Sequence, residues 1–293
     1  MTHPFEGGKM NDIGHWESPA KVNLRLEILR KREDGYHEIR TIFQKVSLYD
    51  RLHFFLNPRR GIQIEADHPN LPTGRKNLVY QAILSMLERS NYSGGVRVVI
   101  EKKIPLGAGL GGGSSNAATT LKALNHLLHL NLKQAELMEM GAQLGADVPF
   151  FLLDGSAIGT GIGEKLKRMT LPSFWYLLIY PNFEVSTRWA YQHSILTKTK
   201  YHINLRKLFE PPMGISDLLR NDLERGVSMK YPEIAFIKKL LLTSGAMGAM
   251  MTGSGPTVFG LFFREEEAAQ AFQELKRRVR RRGWTMFQVH SLP

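Results

Sequence analysis

The sequence contains no cysteine, which excludes disulfide bonds, zinc–thiolate sites and a cysteine nucleophile. Long hydrophobic runs are also missing, and the longest apolar stretches, such as Val148–Leu153 and Trp175–Tyr180, are far too short to cross a bilayer. The first sixteen residues are polar and lack the apolar segment of a signal peptide. These absences predict a cytoplasmic protein without a membrane partner.

Acidic residues are scarcer than basic ones, 27 against 39, and the net charge of +12 indicates an anionic partner. The densest basic cluster, Lys276–Gly283, follows an acidic stretch. Apolar residues recur through both at helical spacing: Ala268, Phe272, Leu275 and Val279. Acids at the start and bases at the end of a helix complement its dipole. We therefore interpret the cluster as the end of an amphipathic helix, with a nucleic-acid-binding surface as the alternative.

Strand-like and helix-like segments follow each other without a long linker or an internal repeat. The predicted strands are Ala20–Leu29, Arg51–Leu56, Gly61–Ala66, Gly95–Ile104, Trp175–Tyr180, Ala249–Thr252 and Thr257–Phe262. The predicted helices are Asn77–Ser90, Asn116–Leu128 and Gln134–Leu144. Strands in adjacent groups favour an α+β fold. We divide the chain into an N-terminal tail of residues 1–16, a first domain of residues 17–160 and a second domain of residues 161–293.

Five of the seven residues from Gly107 to Gly113 are glycine, in a loop between a predicted strand and a predicted helix. Each glycine costs about 0.5–1 kcal/mol relative to alanine in regular structure, so something must lie close to this backbone. A Walker loop is excluded because no lysine follows the glycines. A dinucleotide-binding loop fits poorly, because the acidic residue expected about twenty positions later is missing.

Anion binding explains this loop better. Small residues let consecutive N–H groups form a concave anion site, Ser114 and Ser115 add hydroxyl groups, and the following helix presents its positive end. A flexible linker is the alternative, but it would not lead into a helix that starts with serine and asparagine. We predict that the loop binds a chain of phosphates through Pro105, Leu106, Gly107, Ala108, Gly109, Leu110, Gly111, Gly112, Gly113, Ser114 and Ser115.

Two charged residues stand in apolar surroundings. Asp147 lies between Gly145, a predicted helix end, and Pro149. A buried carboxylate there would need a cation or hydrogen bonds to compensate it, and a helix cap explains the residue equally well. Lys21 lies in an apolar strand and, taken alone, projects to solvent, since lysine is seldom fully buried. The residues by themselves leave a catalytic role open.

Three motifs, in this order along the chain, resemble those of the GHMP kinases, the superfamily of galactokinase, homoserine kinase, mevalonate kinase and phosphomevalonate kinase. They are "SPAKVNL" at Ser18–Leu24, "PLGAGLGGGSSNAAT" at Pro105–Thr119 and "MTGSGPTVFGLF" at Met251–Phe262. The resemblance implies a two-domain α+β fold, with a first domain that is ribosomal protein S5 domain 2-like and a ferredoxin-like second domain. It also implies ATP-dependent phosphorylation of an alcohol.

The resemblance assigns roles to individual residues. It implies Asp147 as the general base and Lys21 as the cation that keeps Asp147 ionised and polarises the acceptor oxygen. Asn77 and Leu78 match positions that contact adenine, and Lys102 is a further candidate. Mg²⁺ is implied on the β- and γ-phosphates. Because no obvious pair of carboxylates claims it, we expect phosphates and water to hold it and predict no protein metal ligand.

The segment Arg32–Leu52 resembles that of one superfamily member, whose substrate is a cytidine diphosphate-linked methylerythritol. By itself, "DGYH" at Asp34–His37 is typical of a turn before a strand. The resemblance instead implies that Tyr36 and His37 contact the cytosine, since a flat base needs an aromatic face and edge hydrogen bonds.

Further positions match the same member. Tyr191 is implied to cover the base opposite Tyr36, with Thr187 as a polar contact, and Asn23 is implied to lie near the acceptor alcohol. The segment "RNDLE" at Arg220–Glu224 also matches, and we assign it no chemistry beyond helix capping.

Two other functions compete with this one. Another small-alcohol kinase, such as homoserine or mevalonate kinase, would have no base to place between Tyr36 and Tyr191. A nucleic-acid-binding module is conceivable because the chain is basic and the same α+β fold occurs in a ribosomal protein. We predict the small-molecule kinase, with no nucleic-acid partner, as a monomer or weak homodimer.

Overall fold

The computed structural model describes residues 11–194 and 218–293, which form an α+β structure. The strands are β1 Asn11–Lys31, β2 His37–Asn57, β3 Gly61–Ala66, β4 Gly95–Glu101, β5 Ser156–Thr160, β6 Lys165–Met169, β7 Trp175–Tyr180, β8 Arg220–Asn221, β9 Gly248–Met251, β10 Val258–Phe262 and β11 Thr285–His290. The helices are α1 Leu78–Glu88, α2 Gly112–Leu127, α3 Gln134–Leu144, α4 Val148–Leu152, α5 Thr187–Gln192, α6 Glu224–Lys230, α7 Glu233–Thr243 and α8 Glu265–Arg281. No helix within these residues is long and apolar enough to cross a membrane.

The strands form two sheets. The first has the order β3-β4-β2-β1-β8, with β5 paired to β2 and β6 paired to β5. In it β3 runs parallel to β4 and β8 runs parallel to β1, whereas β2 is antiparallel to both β4 and β5. The second sheet has the order β11-β7-β10-β9, and each of these neighbouring pairs is antiparallel.

The chain folds as two compact units that are not contiguous in sequence. The first unit comprises the described residues up to Ala20, Tyr49–Leu106 and Gly111–Asp154. The second unit comprises Lys21–Leu48, Gly107–Leu110 and the described residues from Gly155 onwards. Strands β1 and β2 therefore contribute residues to both units. The predicted division into residues 1–16, 17–160 and 161–293 is a division along the chain and stays a prediction.

The core of the first unit is built on helix periodicity. Helix α1 buries one face, and its buried residues follow the spacing i, i+3, i+4, i+7: Val79, Ala82, Ile83 and Met86. Burial of an aliphatic side chain of this kind stabilises a fold by about 1.5–3 kcal/mol. Helix α3 has the predicted bounds Gln134–Leu144. The predicted helix Asn116–Leu128 is observed as α2, but it starts four residues earlier, at Gly112.

In the second unit the apolar run of β7 is explained by its central position between β10 and β11. The predicted amphipathic helix at the basic cluster is confirmed as α8, with three glutamates in its first turn and arginines in its last. Its buried residues are Ala268, Ala271, Leu275 and Val279. The predicted core position Phe272 is only partly buried, since Ala271 occupies the centre of the buried face.

A charged cluster is buried beside β1 in the second unit. The Glu27 carboxylate accepts hydrogen bonds from Arg25 and Arg40, both at 2.7 Å, and Arg220 lies 3.6 Å away. The side chains of Arg25 and Glu27 are each only 5% exposed. Burial alone would raise the pKa of the Glu27 carboxyl, but the hydrogen bonds from Arg25 and Arg40 outweigh burial and hold that pKa below its usual value.

Replacing Glu27 with glutamine is expected to lower the free energy of unfolding by about 3 kcal/mol near neutral pH, because it removes the carboxylate charge that pairs with the buried Arg25 guanidinium. The carboxyl has a lower pKa in the folded than in the unfolded chain. Its stabilisation is therefore complete above the unfolded value, 4.5, and is lost as pH falls through the folded value. Urea unfolding at a series of pH values measures this.

The control for this experiment is Glu139→Gln, on the exposed side of α3, with an expected change below about 0.5 kcal/mol. A difference between wild type and Glu27→Gln that stays constant from pH 7 to below 4 would contradict the assignment.

Candidate active site

The glycine loop starts helix α2 with its own backbone. Gly107, Gly109 and Gly111 have φ angles of 61°, 77° and 72°, in the left-handed region that favours glycine. Gly111 is the N-cap, and the Ser115 N–H donates to its carbonyl at 2.9 Å. The predicted start at Asn116 is wrong, since both following glycines join the first turn. The unpaired N–H groups of that turn therefore belong to residues with little or no side chain.

In the second unit, the segment Gly107–Leu110 is held by two other motifs. The Lys21 N–H donates to the Leu110 carbonyl at 3.0 Å, and the Thr257 N–H donates to the Ala108 carbonyl at 3.3 Å. A Cβ atom on Gly109 would lie 2.4 Å from the Thr252 carbonyl oxygen, so only glycine fits there. The opening motif (Ser18–Leu24), the start of the glycine loop and the late glycine motif (Met251–Phe262) thus meet in one place.

Lys21 is buried in this place, with 3% of its surface exposed, so its interpretation as a solvent-facing lysine is wrong. Its Nζ donates to Asn23 Oδ1 at 2.6 Å and lies 5.6 Å from the centre of the Phe43 ring. The Asn23 N–H donates to Thr252 Oγ1 at 2.9 Å, and Asn23 Nδ2 donates to Thr41 Oγ1 at 2.7 Å. The ammonium group and the asparagine amide are therefore held in fixed orientations.

An aromatic pair lies elsewhere in the second unit. The rings of His37 and Tyr191 stack with their centres 5.3 Å apart and an angle of 26° between their planes. Tyr36 is 61% exposed, and its expected position across a base from Tyr191 stays a prediction. Tyr36 directly precedes β2, which starts at His37. Burial lowers the pKa of the His37 imidazole, and the charge of Lys31 lowers it further.

Thr187, at the first position of α5, lies in the same unit. Its Oγ1 is 3.0 Å from Ser254 Oγ in the late glycine motif. The helix is capped by Ser186, whose Oγ accepts from the Trp189 N–H. This contact connects the start of α5, and with it the segment that contains Tyr191, to the late glycine motif.

Asp147 lies in the first unit, directly before α4, where Pro149 stands near the helix start. Asp147 occupies the N-cap position of α4, but its side chain makes no capping hydrogen bond. The capping interpretation of its carboxylate is therefore wrong. The side chain is partly buried at the junction between α3 and α4.

The residues matched to adenine contacts lie around the start of α2 in the first unit. Asn77 caps α1, accepting from the Val79 N–H at 2.8 Å and donating to the Pro72 carbonyl at 2.6 Å. The Leu78 side chain reaches to 4.0 Å from where a Cβ on Gly113 would lie. The amide of Asn77 thus has a structural task, while Leu78 borders the helix start.

Lys102 has a structural environment too. Its side chain is 2% exposed and forms an ion pair of 2.7 Å with the fully buried Asp50. Its ammonium group also donates to the Ile104 carbonyl, at the entry to the glycine loop. Burial lowers the pKa of Lys102, and the charge of Asp50 offsets part of this. The ion pair fixes the entry of the loop, and a contact with adenine stays a prediction.

One supporting residue was not identified in the sequence. Ser18 Oγ, fully buried, donates to Asn116 Oδ1 at 2.7 Å and lies within hydrogen-bond distance of Ser115 Oγ, at 2.8 Å. This ties the opening motif to the first turns of α2 across 97 positions of sequence. Ser18 is the first residue of the "SPAKVNL" motif, and its membership in that motif is the one sequence feature that indicates a role. Among the described residues, no group of three or more histidine or acidic side chains could hold a metal ion.

Comparison with known proteins identifies the same family as the sequence motifs. Residues 77–155 match the model of the GHMP kinases N terminal domain, and residues 203–281 match that of the GHMP kinases C terminal domain. The 4-diphosphocytidyl-2-C-methyl-D-erythritol kinase of Syntrophus aciditrophicus is 47% identical over 281 residues, which cover 94% of this chain and 98% of that protein. Its namesake from Geobacter sulfurreducens is 42% identical over 277 residues, with the same coverage.

Solved structures agree with this assignment. A crystal structure of 4-(cytidine 5'-diphospho)-2C-methyl-D-erythritol kinase has a TM-score of 0.81 and 33% identity, and the match covers 96% of this chain and all of that chain. A homoserine kinase from Cytophaga hutchinsonii, 22% identical with a TM-score of 0.72 and coverage of 99% and 97%, shares the fold. These findings confirm the predicted two-domain α+β fold. The chain therefore belongs to the GHMP kinase family, in the group that contains these 4-diphosphocytidyl-2-C-methyl-D-erythritol kinases.

Proposed function

We propose that this chain uses ATP to phosphorylate the 2-hydroxyl group of 4-diphosphocytidyl-2-C-methyl-D-erythritol, a step of the non-mevalonate (methylerythritol phosphate) route to isoprenoid precursors. The observation that carries the proposal is the identity of 42–47% to kinases of that name over 94% of the chain. The meeting of three motifs around Lys21 supports the kinase chemistry. A cytoplasmic location is part of the same proposal.

The glycine loop and the start of α2 bind the triphosphate in this proposal. Phosphate oxygens can approach the backbone there because the first turn of α2 begins with Gly112 and Gly113, and the helix dipole favours negative charge. Gly113 is exposed, and outside its own helix the Leu78 side chain, at 4.0 Å, is the one described group near where its Cβ would lie. Adenine is placed beside Leu78 and Asn77.

The transfer step assigns one task to each charged residue. Asp147 accepts the proton of the substrate's 2-hydroxyl group while the oxygen of that hydroxyl group forms a bond to the γ-phosphorus. The bond between the γ-phosphorus and the β,γ-bridging oxygen breaks, which releases ADP. Lys21 stabilises the reacting oxygens, and Asn23 orients both the lysine and the alcohol.

Mg²⁺ supplies neutralisation of the phosphate charge when it is bound. In this proposal phosphate oxygens and water hold most of its coordination positions.

The cytosine is placed at the aromatic pair. The stacked rings of His37 and Tyr191 offer flat faces, the exposed Tyr36 ring can close over the base, and Thr187 offers a hydroxyl group. Stacking of a base on an aromatic side chain is worth about 1–3 kcal/mol. Mevalonate and homoserine carry no base and would gain nothing from these rings.

An ADP-release assay with the cytidyl substrate beside mevalonate and homoserine tests the proposed function. Turnover is expected with the cytidyl substrate alone, and it should tolerate salt, whereas nucleic-acid binding would weaken steeply as salt rises. Preferred turnover of mevalonate or homoserine would overturn the proposal.

Replacing Asp147 with asparagine is expected to lower kcat by about 10²–10⁴-fold, because the alcohol then has no base. ATP affinity, measured by calorimetry, should change less than about twofold. Asp154→Asn, an exposed carboxylate beyond the other end of α4, is the matched control and should keep its turnover. Normal kcat in Asp147→Asn would remove this residue from the mechanism.

Alanine variants of two neighbouring glycines, Gly112 and Gly113, distinguish an effect on phosphate binding from an effect on fold stability. Gly113→Ala should raise the free energy of unfolding by up to about 1 kcal/mol through helix propensity, yet weaken ATP binding at least tenfold if the phosphates lie against this turn. Gly112→Ala should destabilise the fold, because its Cβ would lie 2.9 Å from an Ile104 methyl carbon and 3.1 Å from Lys102 Nζ. Unchanged ATP affinity in Gly113→Ala would place the phosphates elsewhere.

Removing the Tyr191 ring should chiefly affect the alcohol substrate. Tyr191→Ala is expected to raise KM for the cytidyl substrate about tenfold or more, with KM for ATP nearly unchanged, because one stacking face is lost. Tyr191→Phe keeps that face and serves as the control. Equal loss of affinity for ATP and the cytidyl substrate would contradict this placement.

A further inference from the structure

We infer that Asn221 is a positioning residue for phosphoryl transfer, which acts by fixing the late glycine loop, defined here as Met251–Gly255, against Asn23 and Lys21. This inference rests on the proposed function. It gives a task to the "RNDLE" segment at Arg220–Glu224, to which the sequence assigned only helix capping.

The amide of Asn221 bridges the backbone of the late glycine loop. Its Nδ2 donates to the Met251 carbonyl at 2.7 Å and to the Gly253 carbonyl at 2.8 Å. Its Oδ1 accepts from the Leu223 N–H at 3.0 Å, which orients the amide. Both amide hydrogens of Asn221 are therefore donated to backbone carbonyl groups, one on each side of Thr252.

A second residue of the segment grips the same loop. Glu224 Oε2 accepts from the Met251 N–H at 2.7 Å, and Lys238 pairs with its other oxygen. Met251 is thus held at its N–H by Glu224 and at its carbonyl by Asn221. The segment acts as a clamp on the point where strand β9 ends and the loop begins.

The clamped loop in turn fixes the catalytic lysine. Thr252, fully buried, accepts the backbone N–H of Asn23 at 2.9 Å, and Lys21 Nζ is bonded to the Asn23 side chain. A Cβ atom on Gly253 would lie 3.3 Å from Lys21 Nζ and 3.4 Å from Asn23 Oδ1. Loss of the Asn221 bonds would therefore release the backbone on which the positions of Asn23 and Lys21 depend.

The sharpest variant is Asn221→Asp. Aspartate has nearly the same shape and keeps the oxygen that accepts from Leu223, but it loses both donors and brings a carboxylate against two carbonyl oxygens. A displacement of about 1 Å in a catalytic group can cost on the order of 10²-fold in rate. We expect kcat to fall at least about tenfold, with KM for ATP changed less than about threefold.

The chain offers a matched control in Asn125. Its Nδ2 donates to the Leu132 carbonyl at 3.1 Å, and its Oδ1 accepts from the Leu132 N–H at 2.9 Å, so it too bridges backbone groups. It lies 13 residues beyond the first residue of α2, about 20 Å along the helix axis. Asn125→Asp should lose comparable stability by urea unfolding while keeping kcat.

A pH profile distinguishes positioning from general damage. At low pH the new carboxyl group of Asn221→Asp becomes protonated and can donate one hydrogen bond to a loop carbonyl. The ratio of its kcat to the wild-type kcat should therefore rise as pH falls. Taking this ratio removes any pH dependence that the two proteins share. The Asn125→Asp ratio should stay flat.

Hydrogen exchange of the amides of Thr252–Gly255 provides a readout that needs no substrate. Faster exchange there in Asn221→Asp, but not in Asn125→Asp, together with the lower kcat and the pH-dependent ratio, supports the inference. Unchanged exchange, or equal kcat losses in both variants, would overturn it. If the wild type fails to phosphorylate the cytidyl substrate, the proposed function fails, and the exchange rates alone still decide whether Asn221 clamps the loop.

Discussion

Two main-chain hydrogen bonds position the start of the glycine loop. The Lys21 N–H donates to the Leu110 carbonyl, and the Thr257 N–H donates to the Ala108 carbonyl. They bring three segments that are far apart in sequence into backbone contact, and this contact tolerates no side chain at Gly109. The glycines of the loop are thus explained twice, by the close approach of protein backbone at Gly109 and by the open first turn of α2 at Gly113. A loop fixed in this way can receive phosphate without first being ordered, which lowers the entropic cost of binding.

Burial of charge is the second theme of the structure. The Lys21 ammonium, the Asp50–Lys102 pair and the Glu27 cluster are all withdrawn from water, and each has hydrogen bonds that compensate part of the cost. The partners of Lys102 fix the entry of the glycine loop, and those of Glu27 connect strands of the first sheet. Lys21 differs, because its partner is an asparagine that the late glycine motif itself orients.

The sequence predicted the elements well where periodicity was strong, as in α1, α3 and β7, and less well where backbone geometry decided, as at the start of α2. Propensity places a helix start after glycines, whereas Gly112 and Gly113 lie inside it. Side-chain environments were harder still. Lys21 was expected in solvent without the family resemblance, because a two-residue alternation cannot tell a buried polar face from an exposed one. The sequence also gave no signal for the stacking of His37 on Tyr191, and the placement of a base between Tyr36 and Tyr191 stays a prediction. The contacts of Ser18 and Asn221 could not be predicted, because they join residues that are far apart in sequence and no local pattern indicates such pairs.

The most direct measurement is a crystal structure of this protein with a non-hydrolysable ATP analogue and the cytidyl alcohol bound together. We expect the triphosphate to lie against the backbone of Gly107–Ser115, with Lys21 Nζ and an Asp147 carboxylate oxygen each within about 3 Å of the 2-hydroxyl oxygen. A triphosphate bound away from this backbone, or an alcohol that only one of these two side chains can reach, would contradict it.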